Sequence, residues 1–175
     1  MKSPANCGAF YHYDLFNNLI NVFIAAALSI LFLIISIVVW QHEQYVKGSY
    51  YLITKNSYWS IKSNKGKNGE YLIYRSLRHL EKNGSRFLFN VFIPKPNGET
   101  TEIDVLLIST KGLFVFESKN YSGWIFGNDT HNKWTQVFPN STSKNHKFYF
   151  YNPVAQNASH VKYLERLIGA NIFAH

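Results

Sequence analysis

The sequence predicts a mixed α/β protein of the α+β type, in which one transmembrane helix precedes a helix, three strands, an insertion and a second helix. Two observations support this prediction. A single long apolar stretch lies near the amino terminus. After this stretch, apolar residues recur first at helical spacing, then in β-forming runs, and then again at helical spacing. The 175 residues allow one ordinary domain plus an appendage, so two large catalytic domains are excluded.

The composition limits which binding partners and metal sites are expected. Charged residues make up only 16% of the chain and apolar residues 46%, so intrinsic disorder is not expected. The net charge of +8 favours a polyanionic partner, either nucleic acid or an anionic membrane surface, without choosing between them. Cys7 is the one cysteine, so an internal disulfide and a multi-thiolate metal site are excluded, whereas a carboxylate-based metal site remains open.

The apolar stretch predicts a membrane span. No Asp, Glu, Lys or Arg occurs between Asp14 and Glu43, and residues 19–39 include fifteen Leu, Ile, Val and Phe. As a helix these 21 residues span about 31 Å, the thickness of the hydrocarbon core of a bilayer. A signal peptide usually has a shorter apolar region that ends in small residues. We therefore expect a transmembrane helix over residues 15–40, after a short tail of residues 1–14.

The lysines predict the orientation of this single-pass helix. Lys47 and Lys55 follow it closely, whereas Lys2 and the α-amino group precede it. The positive-inside rule then places the carboxyl-terminal domain in the cytoplasm and the amino terminus outside.

Two helices are expected after the membrane span. Residues 41–61 are weakly patterned and are interpreted as a juxtamembrane linker before a domain of residues 62–175. Asn68 would cap the first helix, which the Asn-Gly pair at 83–84 ends. Asn152 would cap the second helix, with a proline at its first position.

β-forming runs between these helices predict three strands and a further hairpin. The strands are Phe87 to Ile93, Thr101 to Ile108 and Leu113 to Lys119, and the hairpin joins Trp124–Phe126 to Trp134–Phe138. The two tryptophans are more typical of packing than of base stacking. Lys144, His146 and Lys147, which lead into Phe148–Tyr151, suit either a single-strand nucleic-acid surface or the cover of a core.

The candidate functional groups are carboxylates that occur in otherwise apolar strands. Alternation puts Glu102 and Asp104 on one face of the second strand, and Glu117 and Lys119 on one face of the third. For a single strand, a solvent-exposed end with a modest ion pair is the commoner explanation. Two adjacent strands lie only about 4.8 Å apart, so their carboxylates can share a hard cation such as Mg²⁺ while the lysine orients a water.

Glu70 and His160 are more ambiguous. Glu70 leans onto the buried stripe of its helix, although a first-turn Glu more often complements the helix dipole at the surface. His160 follows Gln156 by four residues and shares its side of the helix, although a lone helical histidine is more often packed or exposed than catalytic.

Several short motifs occur in order along the domain. They are Gly69-Glu70, Glu102-Ile103-Asp104, the run from Gly112 through Glu117-Ser118-Lys119-Asn120-Tyr121-Ser122 to Gly123, Trp134, Asn152-Pro153, Gln156-Asn157 and His160. Together they resemble the nuclease-related domain family of the PD-(D/E)xK nuclease superfamily, over about residues 62 to 168.

The resemblance implies a fold and a site. The fold would be a restriction-endonuclease-like α-β-β-β-α core, with a final strand that is short, over residues 170–174, or missing. Asp104, Glu117 and the Ser118 carbonyl would bind Mg²⁺ or Mn²⁺, and Lys119 would position the attacking water. Glu70 and Gln156 would assist at the metal or beside it.

The resemblance and the membrane span together imply a membrane-anchored, metal-dependent deoxyribonuclease, held in the lipid bilayer through residues 15–40 and acting on DNA. A second hypothesis is a catalytically silent nuclease-like module that binds nucleic acid or an anionic surface at the membrane. A third is recognition of anionic lipid headgroups by the lysines near the helix.

Overall fold

The amino-terminal apolar stretch lies within one continuous helix, α1 (Ala5–Val46). The computed structural model describes residues 5–138 and 147–169, with side chains from residue 16 onward. Among these residues only the segment Phe16–Val46 is long and apolar enough to cross a membrane, and a signal sequence would meet the same criteria. The chain divides into two compact units, Met1–Tyr45 and Val46–His175.

The segment interpreted as a linker is largely helical. It contains two short helices, α2 (Ser49–Thr54) and α3 (Tyr58–Ser63). Tyr50 is fully buried, and its ring contacts Phe89 edge-on at 4.8 Å between centroids. Six-residue helices are too short to show a full apolar repeat, which is why the sequence pattern did not predict them.

The first helix of the predicted core also begins earlier than expected. It is α4 (Lys65–Leu77), and its N-cap is Asn64 rather than Asn68. The Asn64 side chain accepts a hydrogen bond from the Lys67 N–H at 3.0 Å. A 3₁₀ helix, Arg78–Asn83, follows and ends at Gly84 in the left-handed conformation, as the Asn-Gly pair predicts.

Three antiparallel strands form the first sheet in the order β1-β2-β3. They are β1 (Arg86–Pro94), β2 (Thr100–Ser109) and β3 (Gly112–Phe116). The third strand ends three residues before its predicted end, because the Ser118 N–H donates to the Asp104 carboxylate at 2.7 Å. Glu117 and Lys119 therefore lie just beyond the sheet.

One part of the core lies between this sheet and the closing helix, α5 (Pro153–Ile168), and another lies where Tyr74 of α4 packs on Phe87 and Phe89 of β1. Ile93, Ile103 and Leu106 of the sheet pack with Leu164 of α5 in one buried cluster. Asn152 caps α5 as predicted, because its side chain accepts from the first free N–H groups of the helix. Helix, three strands and helix thus follow one another in the predicted order.

A second antiparallel sheet, of order β4-β5-β6, is inserted before α5. Its strands are β4 (Trp124–Phe126), β5 (Lys133–Val137) and β6 (Lys147–Tyr151). The predicted hairpin is β4 and β5, and the aromatic run supplies a third strand. Residues 170–174, expected as a strand remnant, lie outside the described residues, as do Lys144 and His146.

The two tryptophans of this sheet differ in their surroundings. Trp134 is half-buried, and its Nε1–H donates to the Asn128 carbonyl at 2.8 Å, so the packing interpretation is confirmed for it. Trp124 is 62% exposed, and its ring lies 6.2 Å from the Phe126 ring between centroids.

We expect Gly69→Ala to destabilise the domain by about 1 to 3 kcal/mol, because overpacking displaces well-packed neighbours. A Cβ at Gly69 would lie 2.3 Å from Ser118 Oγ and 2.9 Å from Asn120 Cβ. Denaturant unfolding of the chain in detergent micelles measures the effect. Gly66→Ala is the control, since its Cβ would meet only Asn64 Oδ1, at 3.3 Å. Equal stabilities of the two variants would contradict the close approach.

Candidate active site

One cleft of about 450 Å³ collects the candidate residues in the carboxyl-terminal unit. All six residues named from the sequence as site residues line it: Glu70, Asp104, Glu117, Ser118, Lys119 and Gln156. Helix α4, strand β2, the loop after β3 and helix α5 each supply at least one of them. The residues that the resemblance assigns to one site therefore line one cleft.

Asp104 lies on β2, the central strand of its sheet, and is half-buried. One of its oxygens, Oδ2, accepts from the Ser118 N–H at 2.7 Å, which holds the loop after β3 against the strand. Burial raises the pKa of the Asp104 carboxyl above its ordinary value, and the neighbouring charge of Glu117 raises it further. Ionising this carboxyl group therefore carries a free-energy cost, which a nearby cation would offset.

Glu117 is held between two potential cations. Its side chain is 3% exposed, Lys119 Nζ pairs with Oε1, and His160 Nε2 lies 3.0 Å from Oε2. Burial alone would raise the pKa of Glu117, but hydrogen bonds from His160 and Lys119 outweigh burial and lower it. The Glu117 carboxylate is therefore ionised at neutral pH.

His160 is a site residue that sequence reasoning undervalued. It is 2% exposed, and its Nδ1 lies 3.1 Å from the Thr101 hydroxyl of β2. If the neutral ring donates from Nε2 to Glu117, Nδ1 accepts from Thr101, so both ring nitrogens are satisfied. The four-residue spacing from Gln156 was the available signal, but nothing in the sequence paired His160 with Glu117.

Glu70 enters the cleft from α4. The Tyr50 hydroxyl of α2 donates to Glu70 Oε2 at 3.0 Å, and the Asn90 side chain also bonds to this carboxylate. Burial raises the pKa of Glu70, and the charge of Asp104 adds to the increase. Helix α2, in the segment interpreted as a linker, therefore contacts a carboxylate of the cleft. No sequence pattern indicated this contact.

Asn90 has a strained backbone beside the site. Its φ of 52° is in the left-handed region, which a residue within a strand rarely adopts. Its neighbours Phe89 and Val91 pair with Val105 and Ile103, so Asn90 stands opposite Asp104. Strain of this kind persists only where the surrounding structure fixes it, and it is frequent at functional sites.

Lys65 is a second lysine that lines the cleft besides Lys119, and no sequence pattern indicates it as a site residue. Its backbone carbonyl accepts from Asn120 Nδ2 at 3.0 Å, and its Nζ lies 2.6 Å from Ser122 Oγ. These two contacts tie the start of α4 to the loop after β3. Asn120 and Ser122 of the motif thus attach this loop to α4.

The donor atoms fit a hard divalent cation. Asp104 and Glu117 offer carboxylate oxygens and Ser118 a backbone carbonyl, and Mg²⁺ is commonly held by one or two carboxylates plus waters. Among the described residues, no group of three or more His, Cys, Asp or Glu side chains is arranged to hold a metal ion. A cation here would therefore rely on two carboxylates rather than on a complete side-chain cage.

Glu70→Gln should stabilise the domain at neutral pH but not at acidic pH. The folded state raises the pKa of Glu70 above its ordinary value of 4.5, so stability is lost as pH rises through the folded pKa. The amide keeps an acceptor for Tyr50 and removes the charge. We expect a melting temperature above that of the wild type at pH 7, with the difference vanishing below about pH 4. An unchanged or lower melting temperature at pH 7 would show that the charge is not costly.

Comparison with known proteins identifies the family. The family model for the nuclease-related domain (NERD) matches residues 65–175, which is more than half of the chain. An uncharacterized protein of Bacillus anthracis is 42% identical over 105 residues, covering 59% of this chain and 47% of the relative. The chain thus spans about half the length of that curated relative. No solved structure matches this chain. The chain belongs to the nuclease-related domain family, and its α+β domain is a nuclease-like module.

Proposed function

We propose that this chain is a membrane-anchored nuclease that hydrolyses DNA phosphodiester bonds with Mg²⁺ or Mn²⁺. The observation that carries the proposal is the meeting of Asp104, Glu117 and Lys119 in one cleft of a nuclease-related domain. A carboxylate pair and a lysine are the groups that metal-assisted hydrolysis needs: hard ligands and a donor that orients water.

The roles follow from the contacts. Asp104 and Glu117 would hold the cation together with the Ser118 carbonyl. When bound, the metal would stabilise the negative charge that develops on the phosphate oxygens and make a nearby water more acidic. Lys119, held by its ion pair with Glu117, is only 26% exposed and would donate to the attacking water. Gln156, on the α5 side of the cleft, would orient the phosphate.

His160 and Thr101 support this arrangement without touching substrate. Thr101 fixes the His160 ring, and His160 in turn holds Glu117 Oε2, which would leave the remaining lone pairs of Glu117 to bind the cation. Lys65 adds a second positive charge to the cleft, and the net charge of +8 favours approach of a DNA backbone.

Helix α1 is proposed to anchor the protein in the bilayer, with the domain in the cytoplasm. The helix carries exposed apolar side chains through the segment Leu19 to Trp40. A membrane-impermeant thiol reagent applied to intact cells tests the orientation. Labelling of Cys7 from outside is expected, whereas protection that ends on lysis would reverse the assignment.

Nicking of supercoiled plasmid by the whole chain in detergent micelles tests the catalytic proposal. We expect relaxed and linear products with Mg²⁺ or Mn²⁺ and none with EDTA. Lys119→Met should slow the reaction by about 10²-fold or more, since proton-transfer and water-positioning groups commonly contribute that much. Intact plasmid in both metals with a folded chain would reject the enzyme.

A catalytically silent nucleic-acid-binding module is the second candidate. Both Glu117 oxygens already have partners, which favours a role of this residue in structure alone. Glu117→Gln separates the two functions. An enzyme loses cleavage and keeps its affinity for DNA, whereas a binding module has no cleavage to lose and gains affinity when a negative charge is removed.

A further inference from the structure

The second sheet carries an exposed aromatic surface that the proposed catalytic cleft does not use. Four large side chains form it: Trp124, Phe126, Tyr149 and Tyr151, with exposed fractions of 62%, 51%, 68% and 52%. We call these four residues the aromatic face. Exposed aromatic clusters of this kind usually mark a binding surface.

Strand register puts the four rings on one side of the sheet. Phe126 pairs with Thr135, and Thr135 pairs with Tyr149, so these residues share a face. Side chains two positions apart in a strand point the same way, so Trp124 and Tyr151 join them. The Trp124 and Phe126 rings lie 6.2 Å apart between centroids.

The opposite side of the sheet makes the packing contacts, although Phe148 on that side is 51% exposed. Trp134 and Phe150 are half-buried there, and the Tyr121 ring contacts Phe150 edge-on at 4.6 Å. Gln136 Nε2 also donates to the Ser122 carbonyl at 2.7 Å. Since these contacts hold the sheet, the aromatic face is not needed for its packing.

Charge on the aromatic face suits a polyanion. The register places Lys133 opposite Tyr151 and Lys147 opposite Val137, on the same side as the four rings, and both lysines are exposed. The three strands contain no Asp or Glu. All large apolar side chains on this side are aromatic except Val137, whereas a lipid-inserting surface would favour long aliphatic residues as well.

We infer that the aromatic face binds single-stranded nucleic acid by stacking unpaired bases on its rings, with Lys133 and Lys147 on the phosphates. Aromatic rings interleaved with cations bind single strands without sequence preference. The choice of DNA over RNA rests on the proposed nuclease function. Tyr121 lines the cleft and precedes Trp124 by three residues, so at most about 10 Å of chain separates the cleft from the face. The substrate is then DNA with an unpaired segment.

Fluorescence anisotropy with a labelled fifteen-nucleotide poly-dT strand tests the inference, using the whole chain in detergent micelles with EDTA so that no cleavage occurs. Trp124→Ala should weaken binding at least about fivefold, and Tyr149→Ala likewise, because each removes one stacking ring. Trp124→Phe should restore most of the affinity. Trp59→Ala is the matched control, since Trp59 is 66% exposed on α3, and it should bind as the wild type does.

Replacing Lys133 and Lys147 by Gln should lower the slope of log affinity against log salt by about 1.4, for two phosphates on a single strand. The inference is overturned if the wild type does not bind poly-dT, or if Trp124→Ala binds it as Trp59→Ala does. It is also overturned if Trp124→Ala reduces binding to phosphatidylserine vesicles and leaves poly-dT binding unchanged. Poly-dT binding without plasmid nicking would reject the nuclease and leave the aromatic face supported. Plasmid nicking by the wild type, together with unaltered poly-dT binding by Trp124→Ala, would support the nuclease and reject the aromatic face as a binding surface.

Discussion

Asp104→Asn should abolish metal-dependent cleavage, with a loss of at least about 10³-fold in rate, since a bound metal ion contributes several kcal/mol of charge stabilisation. The amide keeps the size of the side chain and an acceptor for the Ser118 N–H, so the loop after β3 stays attached to β2. Initial rates of plasmid nicking measure the loss, and anisotropy with poly-dT shows that DNA binding survives.

Glu99→Gln is the control for this loss. Glu99 is an exposed carboxylate outside the cleft, paired with Lys95 at 3.2 Å, and its replacement removes the same charge from the chain. We expect the nicking rate of the control to stay within about twofold of the wild type. Persistent cleavage by Asp104→Asn, or an equal loss in the control, would remove Asp104 from the site.

Asn152→Ala should cause the largest loss of stability, about 2 to 5 kcal/mol. The side chain is fully buried, and its Nδ2 is shared among the carbonyls of Asn128, Asp129 and His131 at 2.8 to 3.2 Å. Its oxygen caps α5 at the same time. Alanine would leave these carbonyls without that donor and the helix without its cap.

Asn64→Ala isolates the capping part of this effect. Asn64 caps α4, and its side-chain oxygen accepts from the Lys67 N–H at an exposed position. We expect a loss of about 1 kcal/mol for this control. Unfolding in denaturant, monitored by tryptophan fluorescence, compares the two variants. Equal losses would mean that Asn152 acts only as a cap and does not hold the loop before β5.

The elements with strong local signals were predictable. β-forming runs separated by an Asn-Gly turn marked β1 and β2, and the Asn-Pro pair marked the start of α5. Helices α2 and α3 were not predictable from the sequence. Tyr50 is buried through its contact with Phe89, which is distant in sequence, so no local pattern marks it as a core residue. Strand β6 was left open, since an aromatic run has the same composition on a surface as in a core.

The candidate site was predictable where strand alternation and motif spacing coincide, as at Asp104. Lys119 lies past the end of β3, so motif spacing alone indicated it. His160 and Tyr50 were undervalued or missed because each acts through a partner distant in sequence. His160 reaches Glu117 across 43 residues, and Tyr50 reaches Glu70 across 20. Such pairings depend on how helices pack against the sheet, which neither period nor composition encodes.

The proposed mechanism depends most on a divalent cation held by Asp104 and Glu117. A Mn²⁺ titration of the whole chain in detergent micelles, in which electron paramagnetic resonance reports the free ion, measures that binding. We predict one Mn²⁺ site in the wild type that Mg²⁺ displaces, and loss of that site in Asp104→Asn and Glu117→Gln. Wild-type chain that removes no Mn²⁺ from solution, or variants that bind it equally well, would contradict the account.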